Sequence, residues 1–218
     1  MYVKYCKLSA REQSRLMEFF VAGTTARTAA ELVGVHRNSA IRFFHRLREK
    51  IAAKQEQRAE RLCGRVELDE SYFGGARKGK RGRGAAGKVP VFGLLKRGGQ
   101  VFTQMLDNVK GATLLPIIRE RVAPDSVVYT DGYKVYDALD VSGFRHFRIN
   151  HSEEYADGHN HINGIENFWN QAKRHMRKFN GIDRRSFNLF LKECEWRFNT
   201  GGPKELLKDL KSLLRELY

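Results

Sequence analysis

Up to Ile51 the apolar residues recur every three or four positions, and between Val66 and Leu106 they come instead in short runs and alternations bounded by glycine and charge. A change of period from about 3.6 to 2 requires two kinds of element, so the chain opens on helices and continues as a sheet with helices around it. Ser9 and Glu12 stand at the spacing of a capping box and open a helix with apolar positions Leu16, Phe19 and Phe20, closed by Gly23. Ala26–Val33 makes a second helix that stops at Gly34, and a third runs over about 36–51. The third carries Ile41, Phe44, Leu47 and Ile51 at helical spacing, with Arg37, Asn38, Arg42, Arg46 and Arg48 distributed around them. Three helices with a tight glycine-containing turn before the last predict an all-α helix-turn-helix module over residues 1–51. Arg37, Asn38 and Arg42 fall early in the helix that such a module lays in the major groove, where Arg and Asn match base edges. A plain three-helix bundle with solvated arginines is the alternative.

Residues 52–64, charged and without turn signals before Gly64, form a helical extension or linker. A second domain is expected over 65–200, followed by a C-terminal helix over 201–218. Within that domain Val66–Phe73 predicts a strand, and Val89–Lys96 and Gln100–Leu106, joined across Arg97-Gly98-Gly99, predict a hairpin. A helix at Ala112–Val122, a strand at Ser126–Thr130, a helix at Tyr133–Leu139 and a strand at Phe144–Ile149 follow, then helices at Gly164–Phe179 and Arg184–Phe198. A meander of strands followed by alternation with helices implies an α/β domain, a mixed sheet flanked by helices.

The 40 Lys and Arg against 25 Asp and Glu leave a net charge of +15, which suits a polyanionic partner. The longest apolar runs, such as Val89–Leu95, fall far short of the roughly 20 residues that cross a bilayer. The N-terminus lacks the apolar stretch of a signal peptide. No membrane association is expected, and a cytoplasmic, nucleoid-associated location is. Cys6, Cys63 and Cys194 are too dispersed for a zinc site and read as free thiols.

Three acids sit where elements meet. Asp69 lies within the first strand, Asp131 follows the apolar strand Val127-Val128-Tyr129-Thr130, and Glu166 lies in the first turn of the long helix. A carboxylate at the carboxyl end of a buried strand points into the crevice that α/β sheets use for ligands. Oxygen-only ligands with no cysteine cluster suit Mg²⁺ or Mn²⁺, and two such ions bridged by carboxylates can activate a water or a 3′-hydroxyl in phosphodiester chemistry. Each acid also has a structural alternative. Asp131 could be a turn or helix-cap residue, Asn163 and Glu166 fit a capping box, and Glu67 shares the strand face of Asp69 and competes for its role.

The segments LDESYFGG (68–75), YTDGY (129–133) and HINGIENFWNQAKR (161–174) together resemble the DDE transposases of bacterial insertion sequences, in particular the small ISXO-type group. The acids are separated by 62 and then 35 residues, and the second interval resembles the short spacing of such enzymes and of retroviral integrases. The resemblance implies a helix-turn-helix followed by an RNase H-like catalytic domain, with Asp69, Asp131 and Glu166 as ligands of a two-metal Mg²⁺ or Mn²⁺ site. It implies binding to the terminal inverted repeats of an element and to target double-stranded DNA, then metal-dependent cleavage and strand transfer, by at least a homodimer on DNA. His161 and Asn163 match the family's H-x-N-x-x-E run. His161 could approach the metal or phosphate or shape the turn. The zinc-ribbon segment of longer members, with its paired cysteines, is absent from the sequence.

Gly82–Lys88 matches a nucleotide-binding P-loop in outline, but Val89 replaces the Ser or Thr and a strand follows, so a flexible basic loop is expected instead. Arg77, Lys78, Lys80, Arg81, Arg83 and Lys88 give it six positive charges suited to tracking phosphates. Asp157, His159 and His161 are an alternative transition-metal trio in a polar connector. On the long helix, Ile165, Phe168, Trp169, Ala172, Met176 and Phe179 form one stripe assigned to the core. Glu166, Asn170, Lys173 and Arg177 form a second, placing two cations along the face of the proposed metal ligand. A catalytically silent DNA-binding regulator and a structure-specific metal-dependent nuclease are the alternatives to a transposase.

Overall fold

The computed structural model describes residues 7–57, 60–74, 88–131, 145–149, 161–179 and 181–215. The chain forms two compact units, one made of residues 1–58 and 174–218 and the other of residues 59–173.

The first unit is helical: α1 (Ala10–Val21), α2 (Ala26–Val33), α3 (Arg37–Glu56), α6 (Phe187–Thr200) and α7 (Pro203–Arg215). The capping box at the start of α1 forms as its spacing predicts, with the Ser9 hydroxyl accepting from the Glu12 amide and the Glu12 carboxylate accepting from the Ser9 amide. Gly34 ends α2 in the left-handed conformation at φ 79°. Phe20, Phe43, Phe44, Leu47, Ile51, Trp196, Leu206 and Leu210 make the core. The stripe on α3 runs through Ala40, Phe43, Phe44, Leu47 and Ile51, so Ile41, one residue and about 100° away from Ala40, is left outside it and 46% exposed.

Arg48, one of the arginines distributed around the apolar positions of α3, is buried. Its guanidinium donates to Glu193 at 2.7 Å and lies over the rings of Phe20, Phe179 and Phe190. Glu193 also bonds His175 at 3.0 Å and Arg197 at 2.9 Å, and against its burial the charge of Arg48, the His175 hydrogen bond and the charge of Arg197 hold its carboxyl well below the usual range. Arg197 continues to the Val21 and Phe20 carbonyls in the last turn of α1.

The linear boundaries expected from sequence therefore do not match the compact units. α6, assigned to the second domain, and the C-terminal helix α7 pack with α1 and α3. The reason is physical: Trp196, Leu206, Leu210, Leu213 and Leu214 are buried in one core with the apolar residues of α1–α3. Residues 52–56, read as linker, continue α3, and Lys54 pairs there with Asp209 of α7.

The second unit contains β1 (Arg65–Phe73), β2 (Val89–Lys96), β3 (Val101–Met105), α4 (Gly111–Arg121), β4 (Val127–Asp131), β5 (Arg145–Ile149) and most of α5 (Asn163–Met176). The sheet order is β3-β2-β1-β4-β5. β1, β2 and β3 are antiparallel neighbours, whereas β4 lies parallel to both β1 and β5, giving the expected mixed sheet flanked by helices. Val66, Leu68, Phe92, Leu94 and Val128 point to one face and form a core with Leu114 and Ile118 of α4. The alternate residues Glu67 and Asp69 point the other way, toward α5. Ile165, Phe168, Trp169, Ala172 and Met176 of α5 are buried, as their stripe predicts, while Phe179 lies beyond the helix and is half-buried. The expected helix at Tyr133–Leu139 falls outside the described residues, as does Cys6. Among the described residues no helix is long and apolar enough to cross a membrane.

Candidate active site

β1 supplies the first acid. Asp69 pairs in register with Gly93 of β2, and a Cβ at Gly93 would stand 2.5 Å from the Trp169 ring and 2.9 Å from Ile165. The missing side chain is thus what lets α5 approach the strand. That approach brings the Trp169 indole N–H to 3.0 Å from one Asp69 oxygen, while the other accepts from the Glu70 amide at 2.8 Å. Asp131 ends β4, two residues after Tyr129, as Asp69 stands two residues after Glu67, and Glu67 and Tyr129 are register partners. Period-2 alternation puts Asp69 and Asp131 on one face. Glu166 projects from the first turn of α5.

These three acids line one cleft of about 540 Å³, together with Trp169, Asn170 and Lys173. Burial, then the charges of Glu70, Asp131 and Glu166, push the Asp69 carboxyl up to about 7. Asn170 and Lys173 are exposed on the α5 face that carries Glu166, and the Lys173 ammonium is 5.8 Å from the Phe73 ring centroid. Arg177 is exposed but follows the end of α5 and belongs to the helical unit, so the four-residue stripe is only three residues long within the cleft.

Glu67 does not share the cleft. It is 1% exposed, and its two oxygens are taken by the Arg97 Nε at 2.8 Å and the Ile165 amide at 2.9 Å. The capping-box alternative for Glu166 is likewise displaced, because Asn163 is already helical and the carboxylate that serves the first turn of α5 comes from Glu67. His161 stands with its Nδ1 3.6 Å from Glu67, and its carbonyl accepts from Arg97, so it belongs to the turn before α5. Arg97 is a residue that sequence reasoning missed. Gly93, a lone glycine within an apolar strand, was the available signal for the close approach of α5.

A hard divalent cation suits an all-carboxylate donor set, and the mutual charge on Asp69 is what such an ion would relieve. Among the described residues no group of three or more His, Cys, Asp or Glu side chains is gathered closely enough to hold a metal ion. The donors fit in kind and in sharing a cleft, without forming a closed coordination shell.

In the helical unit Arg37, Asn38 and Arg42 are exposed at the start of α3, and the Asn38 amide is capped by the His36 ring at 3.2 Å. Arg77, Lys78, Lys80, Arg81 and Arg83 lie outside the described residues, as do Asp157 and His159, while Lys88 immediately precedes β2.

Residues 61–199 match the model of the ISXO2-like transposase domain, well over half of the chain. The chain belongs to the ISXO2-like transposase family. An uncharacterized transposase-like protein of Haemophilus influenzae is 60% identical over 116 residues, covering 53% of this chain and 94% of the relative. An uncharacterized protein in the transposable element ISH50 of Halobacterium salinarum is 29% identical over 170 residues, covering 68% of this chain and 58% of that protein. The chain thus spans less than two thirds of that second relative. Among solved structures, the Mos1 strand transfer complex is similar at a TM-score of 0.31 and 13% identity, covering 98% of this chain and 80% of that one. The simian T-cell lymphotropic virus intasome in complex with the PP2A regulatory subunit B56 gamma gives 0.38 and 14%, covering 84% and 64%.

Proposed function

We propose that this transposase binds the terminal inverted repeats of its element through α1–α3 and cuts and joins DNA in the cleft of the second unit. The observation that carries the proposal is that Asp69, Asp131 and Glu166, distant in sequence, line one cleft. The second unit is then the RNase H-like catalytic domain, and the three acids hold Mg²⁺ or Mn²⁺. Bound there, such ions would polarise the phosphate and stabilise the attacking and leaving oxygens.

The chain's own groups do the rest. Trp169 holds one Asp69 oxygen and leaves the carboxylate oriented toward the cleft, while Lys173 and Asn170 face the phosphates of a duplex crossing it. Water attacks a phosphodiester at the element's end and breaks the bond to the 3′-oxygen, leaving a 3′-hydroxyl. That hydroxyl then attacks a target phosphodiester, forming one phosphate ester and releasing another, so the number of ester bonds is conserved. Holding two ends at once calls for at least a dimer on DNA, and a cytoplasmic, nucleoid-associated protein suits that substrate.

The test is incubation with a labelled terminal-repeat duplex, a target plasmid and Mg²⁺. Joined products are expected. Cut products alone would identify a nuclease, and binding alone a silent regulator. Asp69→Asn, Asp131→Asn and Glu166→Gln should each abolish both reactions and leave repeat binding near wild type, because the carboxamides keep shape and lose charge.

A further inference from the structure

The Glu67–Arg97 ion pair touches every element that carries one of the three acids, and on all but one branch it does so within two residues of an acid. Glu67 itself is two residues before Asp69 on β1. Its Oε2 accepts from the backbone amide of Ile165, the residue before Glu166, at 2.9 Å. Its Oε1 accepts from Arg97 Nε at 2.8 Å. The Arg97 guanidinium lies over Tyr129, 3.8 Å from the ring centroid, and Tyr129 is two residues before Asp131 on β4. A terminal nitrogen of the same guanidinium donates to the His161 carbonyl, which fixes the chain entering α5.

The surroundings are shaped for this arrangement. A Cβ at Gly164 would stand 2.8 Å from Glu67 Oε2, so only glycine lets the first turn of α5 close on the carboxylate. An anion at a helix N-terminus also meets the favourable end of the helix dipole. Replacing an ion pair by apolar residues is often neutral, and removing one partner of a buried pair is not. With Glu67 at 1% and Arg97 at 16% exposure, the pair lies largely buried at the junction of three elements.

We propose that Glu67 and Arg97 are positioning residues that set the separation of Asp69, Asp131 and Glu166, and through it the affinity of the cleft for divalent metal. This rests on the metal-site assignment made above. It predicts effects on metal binding without the pair touching the metal, because residues that orient metal ligands typically change affinity about 10- to 100-fold when replaced.

Titration of the full-length chain with Mn²⁺, followed by electron paramagnetic resonance, tests it in wild type, Glu67→Gln, Arg97→Lys and Asp131→Asn. Glu67→Gln keeps an acceptor for Ile165 and loses the pairing charge. Arg97→Lys keeps the charge and loses the fork and the flat face over Tyr129. Both should fold, by near-UV circular dichroism, and bind Mn²⁺ about 10- to 100-fold more weakly. The Mg²⁺ concentration for half-maximal cleavage should rise in parallel, with most of the rate recovered at saturation. A merely structural role would lower Tm and leave the Mn²⁺ affinity of the folded protein unchanged, and that result overturns the proposal. If Glu67→Gln does not fold, Arg97→Lys decides. Asp131→Asn separates the two levels: loss of Mn²⁺ there with wild-type affinity in both pair variants sinks only the positioning role. Equal binding by Asp131→Asn and wild type sinks the metal site itself.

Discussion

In the cleft, the Asp69 carboxyl is raised from 3.8 to about 7 by burial and by neighbouring carboxylates. With the folded value above the unfolded one, the metal-free folded protein holds an extra proton between about pH 4 and 7, so this group favours folding at low pH and that contribution is lost as pH rises through 7. The Tm advantage of EDTA-treated wild type over Asp69→Asn should therefore shrink from pH 4 to 8, measured by calorimetry. Metal binding displaces that proton, so affinity for Mn²⁺ should rise about tenfold per pH unit below 7 and level off above it. Sequence singled out Asp69 as a candidate, since Asp is disfavoured within strands and calls for an explanation. It did not separate Asp69 from Glu67, because both project from the same strand face. What distinguishes them is that Arg97 and the first turn of α5 occupy one and not the other.

At the scale of elements, the distance between α5 and the sheet is set by Gly93. Gly93→Ala would drive a methyl group into Trp169 and Ile165, at a cost of about 1–3 kcal/mol of overpacking. The shift should also break the indole bond to Asp69, so a urea denaturation midpoint below wild type is expected together with weaker Mn²⁺ binding. α3 and α5 should contribute to DNA binding in distinguishable ways. Alanine at Arg37, Asn38 or Arg42 should cost about 1–3 kcal/mol each and relax preference at particular repeat positions, read by competition with single-base variants of the repeat. Alanine at Lys173 should weaken all sequences alike and reduce the log–log salt slope by about 0.9, the share of a single neutralised phosphate. An unchanged slope would return Lys173 to the solvent. The helical faces were legible because a period of 3.6 marks a face wherever the core is on one side, which holds for α5. It failed for Ile41 and Arg48 of α3, where one position falls between stripes and another is buried by partners on α1 and α6 and in the segment after α5.

At the scale of the whole molecule, the helical unit is discontinuous, with α6 and α7 completing a core begun by α1–α3. A chain ending after Gly201 would lose Leu206, Leu210, Leu213 and Leu214, none more than 6% exposed. At about 1.5–3 kcal/mol for each buried leucine, the loss is comparable to the whole stability of a typical domain. The truncated chain should lose the cooperative unfolding of its helices, followed by far-ultraviolet circular dichroism, and repeat binding with it. For the same reason a chain starting at Arg65 would strip α6 and α7 of their partners, so end recognition is better tested by the α3 substitutions. The sequence by itself determined the family and, among the described residues, the succession of helices and strands, and it singled out three acids that line one cleft, because period, turn residues and motif spacing are local properties carried by neighbouring positions. Only the tertiary structure decided where α6 and α7 belong, that Arg48 is buried, and that Glu67 is held away from the cleft by Arg97. Each of these depends on groups far apart in the chain, 145 residues in the case of Arg48 and Glu193, and no local pattern records which distant charge will meet which.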